Sequence, residues 1–300
     1  MQEVILDATD GYKLCLHVFV VQNAKAVIQL VHGMEEHQER YEPFIEFLNS
    51  NGFSVVSSDM RGHGKNAPTL GFFANKGGHK LLVADQMLIT NYIKSQFASL
   101  PIYIFAHSMG TIITRVLLQN NSQNYSKVVL SGYPCWQLAT SFGIFVCNVA
   151  KTFRGAKGKS KLIDKLSVGA FNKKIKNPQT NVDWISANEQ NIQNYLADPL
   201  CGVGFTCSAF GDLFKLVRLM HKPKLYKNVN SSLQLLLLRG QDDPCVGGEK
   251  GATDSKRVLA KAGFKDILAN SYPNMRHEIL NEVENQIVYQ DVLEFFVNKK

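Results

Sequence analysis

The chain has 300 residues, of which 45% are hydrophobic and 19% are charged, and its formal net charge is +8. This length and composition exclude an intrinsically disordered protein and favour one large α/β domain with an inserted subdomain. No apolar run approaches the ~20 residues that a membrane-spanning helix requires, and no apolar core of a secretory signal follows Met1, so we expect a soluble, cytoplasmic protein.

The first elements in the chain are two antiparallel strands, predicted between residues 4 and 21 around a turn at Asp10 and Gly11. A continuous apolar run at 26–31 is typical of a strand that is buried on both faces. The pattern then repeats, with helices predicted at 40–50, 79–98 and 111–119 and strands at 53–56, 102–105 and 127–130. This alternation predicts a doubly wound, mostly parallel sheet.

The alternation stops after Pro134, where the sequence becomes mostly helical or irregular. The sheet resumes with a very apolar strand at 233–238, and the last elements are predicted as a helix at 249–262, a strand at 264–270 and a helix at 282–297. We therefore predict a core made of residues 1–134 and 226–300, with a helical cap of residues 135–225 inserted between two strands.

The positive charge is concentrated within the predicted cap. Residues 151–176 carry nine Lys or Arg side chains and one acid, Asp164, whereas the rest of the chain is almost balanced. We favour a solvated helical face for this stretch. The alternative is transient contact with an anionic membrane surface, where each basic residue contributes about 1 kcal/mol. No nucleic-acid-binding motif accompanies the charge, so we expect no nucleic-acid partner.

A serine lies between a predicted strand and a predicted helix in the segment A-H-S-M-G at 106–110. The small residues two positions before and after Ser108 meet the steric need of a nucleophile elbow, a turn so sharp that larger side chains would collide with neighbouring elements. The alternative is a serine that only caps the helix. Ala106 stands where the elbow usually has Gly, and we expect the additional methyl group to fit.

Ser108 needs a base, because a serine hydroxyl is a weak nucleophile. We predict that the base is His277, which follows the last predicted strand on the loop to the final helix. Asp243 follows the strand before it and is predicted to orient the imidazole. Asp242 is the alternative. Asp243 is preferred because Pro244 favours an extended backbone, in which adjacent side chains point in opposite directions.

The order of the three residues along the chain, Ser108, Asp243 and His277, is the order found in the α/β-hydrolase fold. Acyl transfer also needs donors for the developing oxyanion. We assign these to the backbone N–H of Met109, directly after the nucleophile, and to that of Met34, in the loop after an early strand. We expect an acyl-enzyme mechanism with no metal and no organic cofactor.

Five further segments are informative: H-G-M-E-E-H-Q-E-R-Y at 32–41, D-M-R-G-H-G at 59–64, G-F-F-A at 71–74, A-D-P-L-C at 197–201 and R-H-E-I-L-N-E at 276–282. Together they resemble the monoacylglycerol lipase and lysophospholipase group of α/β-hydrolase-fold enzymes, which is also described as serine aminopeptidase S33-like, and in particular its bacterial members. The resemblance implies a carboxylic ester hydrolase for a lipid-like substrate, a monoacylglycerol or a lysophospholipid. It implies the same three catalytic residues.

One departure from the family pattern is Glu35, which stands beside the expected oxyanion hole where the family commonly has Gly or Ala. Because a carboxylate there would oppose oxyanion stabilisation, we expect its side chain to point to solvent. For five other polar residues of the matching segments we favour a bracing role over substrate contact. They are Glu36, His37, Arg40, Asp59 and Arg61.

For the apolar residues of the predicted cap at 142–146 we favour packing within the cap, with the lining of an acyl pocket as the alternative. They are Phe142, Ile144, Phe145 and Val146. The six cysteines are scattered, without a C-x-x-C pair, and we expect them to be reduced thiols.

Two other functions stay open at this point. One is an aminopeptidase, which would need acidic residues near the cap to bind a free amine, and the basic cap offers few. The other is a catalytically inactive hydrolase fold that binds a ligand or protein, against which the complete set of candidate triad residues argues.

Overall fold

The computed structural model describes residues 1–298, which form an eight-stranded sheet in the order β1-β2-β4-β3-β5-β6-β7-β8. The strands are β1 (Gln2–Asp7), β2 (Lys13–Phe19), β3 (Val27–Val31), β4 (Ser54–Ser58), β5 (Ile102–His107), β6 (Lys127–Ser131), β7 (Gln234–Gly240) and β8 (Asp266–Tyr272). β2 pairs antiparallel with both β1 and β4, and every pairing from β4 to β8 is parallel. The prediction of a mostly parallel, doubly wound sheet is confirmed.

Two hydrophobic clusters cover the two faces of this sheet. Consecutive residues of β5 divide between them, because side chains alternate along a strand: Ile104 belongs to one cluster and Phe105 to the other. The first cluster includes residues of α2 (Gly78–Gln96) and α3 (Met109–Asn121), and the second includes residues of α1 (Glu42–Ser50) and α10 (Asn285–Val297). Burial on both faces explains why the central strands are continuously apolar.

The predicted cap region contains five helices between β6 and β7. They are α4 (Thr140–Arg154), α5 (Lys161–Ser167), α6 (Gly169–Asn172), α7 (Glu189–Ala197) and α8 (Cys207–Met220), and α9 (Gly248–Ala262) follows β7. Buried residues of α8 belong to the same hydrophobic cluster as those of α2 and α3, so α8 packs closely on the core. The division of the chain into a core and a cap stays a prediction.

The predicted elements agree with the structure to within a few residues, and the largest shift concerns the final helix. It begins at Asn285 rather than at residue 282, because Ile279–Asn281 forms a 3-10 turn and the side chain of Glu282 accepts hydrogen bonds from other loops. In the described part of the chain, none of the helices combines the length and the hydropathy that crossing a bilayer requires.

The parallel register aligns the carboxyl ends of the central strands at one edge of the sheet. Val31 of β3 lies opposite Ala106 of β5, and His107 lies opposite Ser131 of β6. The loops that follow β3, β5 and β7 therefore leave the sheet side by side. This is the edge where open α/β sheets bind ligands.

Candidate active site

Ser108 occupies the sharp turn between β5 and α3. Its backbone has φ 49° and ψ −117°, in the left-handed half of conformational space, which costs free energy for a residue other than glycine. A Cβ on Gly110 would lie 2.3 Å from the carbonyl oxygen of Val31, so only glycine fits there. Ala106 is fully buried in the sheet, and its methyl group packs in the hydrophobic core. The predicted elbow geometry is present.

The structure brings the three predicted triad residues together. His277 Nε2 lies 2.7 Å from the Oγ of Ser108, and its Nδ1 lies 2.9 Å from the Oδ2 of Asp243. The other oxygen of Asp243 accepts the backbone N–H of Cys245 at 2.7 Å, which fixes the carboxylate. Asp242 is exposed and takes no part in this chain of hydrogen bonds. The arrangement can pass a proton from the hydroxyl to the imidazole.

Burial and charge act in opposite directions on His277. Burial of the ring lowers its pKa, but the neighbouring carboxylate of Asp243 more than offsets this, and the net pKa is raised. His107 is also buried beside it, with ring centroids 4.8 Å apart, and burial lowers its pKa well below the ordinary histidine value. His107 is therefore neutral at physiological pH, and His277 is the basic member of the pair.

The two residues assigned to the oxyanion hole flank Ser108. Met109 is the first residue of α3, so its N–H has no acceptor within the helix. Met34 lines the same cavity as Ser108. The loop that carries Met34 is held at its base by His32, whose Nε2 accepts the backbone N–H of Met60 at 2.9 Å.

Glu36 holds the oxyanion loop in place. Its Oε1 accepts the backbone N–H of Gly33 at 2.5 Å and the hydroxyl of Tyr41 at 2.7 Å, and its Oε2 accepts from Arg40 at 2.8 Å. Arg40 also makes a bidentate ion pair with Glu278, directly after His277. Burial raises the pKa of Glu278, but Arg40 outweighs burial and lowers it to about 2.

The remaining polar residues of the matching segments also contact protein groups. His37 Nε2 lies 2.7 Å from a carboxylate oxygen of Asp198, and Asp59 accepts the backbone N–H of Gln38 at 2.9 Å. Arg61 forms ion pairs with Asp85 and Asp10. These contacts agree with the bracing role that the sequence favours.

The expectation that Glu35 points to solvent is wrong. Its side chain is buried, and its Oε1 has no hydrogen-bond partner. Its backbone has φ 57°, a left-handed conformation that glycine adopts most readily. Burial, assisted by the nearby carboxylate of Asp164, raises the pKa of Glu35 to about 7.

A cavity of about 470 Å³ opens beside Ser108. Its walls are mostly apolar and come largely from α3, α4, α5 and α8, together with the loop after β3. They include Met34, Ile112, Phe142, Val146, Leu213 and Val217. Packing was the favoured role for residues 142–146. This is wrong for Phe142, which lines the cavity, whereas Val146 both lines the cavity and packs against the core. Ile144 is buried as expected, and Phe145 is exposed on the surface. The helical spacing of these residues could not tell the inner wall from the outer one.

Two functional positions were not found in the sequence. The indole of Trp184 lines the cavity, and its ring centroid lies 4.9 Å from that of His277. The carboxylate of Glu282 accepts the backbone N–H of Arg276, beside the histidine, and also those of Ala187 and Asn188. Glu282 lies in a family-like segment, which is a signal, whereas nothing in the sequence around Trp184 indicates its position.

The fold and the site together define an α/β hydrolase. The chain belongs to the family described as serine aminopeptidase, S33, whose model matches residues 22–284. It is 24% identical to a monoacylglycerol lipase of Mycolicibacterium smegmatis, over 91% of this chain and 89% of that protein. It is 23% identical to phospholipase YtpA of Bacillus subtilis, over 88% and 92% of the two chains.

Among solved structures, a thermostable carboxyl esterase from Bacillus coagulans, crystallised with glycerol, superimposes with a TM-score of 0.89. The two chains are 23% identical, and the match covers 98% of this chain and 97% of that one. At this identity the superposition supports the fold alone. The family match supports the assignment to the hydrolases.

Proposed function

We propose that this protein is a serine hydrolase that cleaves carboxylic esters of lipid-like substrates, monoacylglycerols or lysophospholipids, through an acyl-enzyme intermediate. The observation that carries the proposal is the unbroken Asp243–His277–Ser108 hydrogen-bond chain at the wall of a large apolar cavity. The family relationship and the names of the relatives support an ester substrate.

In the proposed mechanism, the Oγ of Ser108 attacks the ester carbonyl carbon while His277 takes the proton of the hydroxyl. The carbonyl oxygen becomes an oxyanion, which the N–H groups of Met34 and Met109 stabilise. Collapse of the tetrahedral intermediate breaks the bond to the alcohol oxygen, and His277 gives this oxygen the proton. Water then repeats the sequence on the acyl-enzyme and releases the fatty acid. Asp243 holds the imidazole in the required tautomer throughout.

The surroundings of Ser108 differ in polarity, and this supports an orientation for the substrate. We place the acyl chain in the apolar cavity, where its burial is favourable by about 0.8 kcal/mol per methylene group. A second, small cavity also opens on Ser108, and its lining combines apolar residues such as Trp184 with polar ones such as Glu36 and Glu278. We place the first atoms of the alcohol group there.

A contact with an anionic membrane surface is part of the proposal, although the sequence alone favoured a solvated face. Three apolar side chains of α4 and α5 are exposed among the basic residues of the 151–176 stretch; they are Phe153, Leu162 and Leu166. Because Leu166 also lines the apolar cavity, the exposed apolar surface is continuous with the predicted acyl site. Apolar side chains among Lys residues suit the boundary of an anionic bilayer.

The direct test is labelling with a fluorophosphonate probe, followed by a substrate panel. We expect stoichiometric labelling of Ser108 and none in Ser108→Ala. We expect hydrolysis of monoacylglycerol or lysophospholipid to exceed that of short p-nitrophenyl esters. A folded wild-type protein that the probe does not label would instead support a binding protein.

The aminopeptidase alternative is tested in the same assay with aminoacyl p-nitroanilides. Three acids line the small cavity beside Ser108, namely Glu35, Glu36 and Glu278. Arg40 pairs with Glu36 and Glu278, and burial raises the pKa of Glu35 to about 7, which weakens its ability to hold a free amine as a carboxylate. We therefore expect negligible release of p-nitroaniline. Turnover that exceeds ester hydrolysis would overturn the ester proposal.

A further inference from the structure

A group of three metal-binding residue types lies on the β1–β2 hairpin, in a part of the molecule that the proposed reaction does not use. Cys15 and His17 are two residues apart on β2 and therefore share one face of the sheet. Glu3 of β1 is the cross-strand partner of His17. Strands β4 and β3 separate this hairpin from β5, which leads to Ser108.

The ligand atoms of the three side chains converge. The Sγ of Cys15, a ring nitrogen of His17 and a carboxylate oxygen of Glu3 all lie within 4.8 Å of one another. His17 Nε2 and Glu3 Oε2 are 3.9 Å apart, which is too long for a hydrogen bond. Two ligands of one tetrahedral zinc ion lie about 3.5 Å apart, so small side-chain movements would bring the three atoms to the required spacing.

The Nε2 of His17 is the observation that points to a ligand. This nitrogen is buried and has no hydrogen-bond partner, and the residue is only 2% exposed. Buried polar atoms in proteins are normally satisfied, and an unsatisfied one requires an explanation. A cation shared with Cys15 and Glu3 would supply the missing partner.

We propose that Glu3, Cys15 and His17 bind a zinc ion. Thiolate, imidazole and carboxylate are the ligands that zinc prefers, and the combination suits it better than it suits magnesium or calcium, which require oxygen ligands. Binding converts the thiol of Cys15 to a thiolate and releases one proton to solvent. Glu3 is half exposed, so water completes the coordination from the solvent side.

Two neighbouring side chains modify this site. The ammonium of Lys65 acts electrostatically on both Glu3 and Cys15 and opposes a bound cation. Lys65 is exposed and pairs with Glu39 at 3.3 Å, which weakens this opposition. Burial and Glu3 raise the pKa of the Cys15 thiol, whereas Asn66 lowers it. Zinc would join the edge strand β1 to β2 through side chains as well as through the backbone ladder.

Titration of the metal-free protein with Co²⁺ tests the proposal, because a cobalt–thiolate bond gives a charge-transfer band in the near ultraviolet. We expect one equivalent of Co²⁺ to produce the band in wild type and no band in Cys15→Ser. Two other groups contain the same ligand types, namely His37 with Asp198 and Cys201, and Asp243 with Cys245 and His277. The band should therefore persist in Cys201→Ser and Cys245→Ser.

Zinc affinity, measured by competition with a chromophoric chelator, provides a second readout. We expect His17→Gln and Glu3→Gln to weaken binding by at least about tenfold and Lys65→Met to strengthen it. Zinc should raise the unfolding temperature of wild type but not of Cys15→Ser, which retains fluorophosphonate labelling and is therefore folded. The proposal is overturned if the wild type shows no band, or if the band or the zinc-dependent stabilisation persists in Cys15→Ser.

Discussion

Arg40 and Glu278 are 238 positions apart in the chain, yet the guanidinium of one binds both carboxylate oxygens of the other, at 2.8 and 2.7 Å. Arg40 belongs to the loop that carries Met34, and Glu278 directly follows His277. This ion pair therefore joins the predicted oxyanion donor to the predicted base, two groups that must act on the same substrate atoms.

We expect Arg40→Met to impair both stability and catalysis. The substitution leaves the buried carboxylates of Glu36 and Glu278 without their cation, and breaking a buried ion pair in this way costs about 3–5 kcal/mol. Chemical denaturation measures the stability, and kcat/KM for an ester should fall at least about tenfold. Arg257→Met, which breaks an exposed pair with Asp254, should change stability by less than about 0.5 kcal/mol. Equal effects of the two substitutions would contradict the bridging role.

Substitution of the two neighbouring aspartates distinguishes the triad acid. Asp243→Asn should lower kcat by about 10⁴-fold, as loss of the orienting carboxylate does in serine hydrolases, while the fold is retained. Asp242→Asn is a matched control one residue away, and we expect its kcat to stay within about twofold of wild type. A similar loss in both variants, or in neither, would remove Asp243 from the mechanism.

The pH dependence of kcat/KM should report the protonation of His277. The imidazole accepts a proton only when it is neutral, so activity falls as pH falls through its pKa. Because Asp243 raises this pKa despite burial, the midpoint of the acid limb should lie above the ordinary histidine value. A midpoint below that value in the free enzyme would show that the carboxylate does not stabilise the imidazolium.

Glu35 should make stability depend on pH. Its folded-state pKa of about 7 is raised from 4.5, so the unfolded chain releases this proton first. The stabilising effect of the proton is present below pH 4.5 and is lost as pH rises to about 7, with a total of about 3 kcal/mol. Glu35→Gln should therefore be increasingly more stable than wild type over this interval, as measured by denaturation at each pH. A constant difference would contradict the assignment.

Vesicle binding tests the membrane contact. Wild type should sediment with anionic vesicles more than with zwitterionic ones, and salt should weaken the binding. Phe153→Ser should reduce binding, and each of Lys161→Gln and Lys165→Gln should reduce it about fivefold, equivalent to about 1 kcal/mol. Val283→Ser removes an exposed apolar side chain outside the cap and serves as control. Equal binding to both vesicle types would refute the electrostatic part of the contact.

The sequence predicts that Ser108, Asp243 and His277 lie close together, and the structure places them within hydrogen-bond distance, because each follows a strand of one parallel sheet. The carboxyl ends of such strands meet at one edge of the sheet. Residues that directly follow different strands therefore lie close together in space. Asp243 was preferred to Asp242 on the expectation of an extended backbone before Pro244. In the structure residues 241 and 242 form a turn, with Asp242 exposed and Asp243 buried against His277.

The sequence did not predict the orientation of Glu35 or the cavity-lining position of Phe142, because both depend on local or tertiary geometry that sequence patterns do not contain. Glu35 has a left-handed backbone conformation and a buried side chain, and a glutamate in the sequence indicates neither. Whether Phe142 packs the cap or lines the cavity depends on how α4 lies relative to α8, a tertiary relationship that helical periodicity does not contain. Trp184 approaches His277 from an irregular segment and follows no pattern at all.

The carboxylate of Glu282 accepts backbone hydrogen bonds from both the predicted core and the predicted cap. The donor in the core is Arg276, next to the base, and the donors in the cap are residues 187 and 188. A cap that swung away as a rigid whole would pull the base out of line with the nucleophile. On the proposed function, an acyl chain would need no such movement, because Phe142 and Leu166 line the cavity and are exposed at the surface.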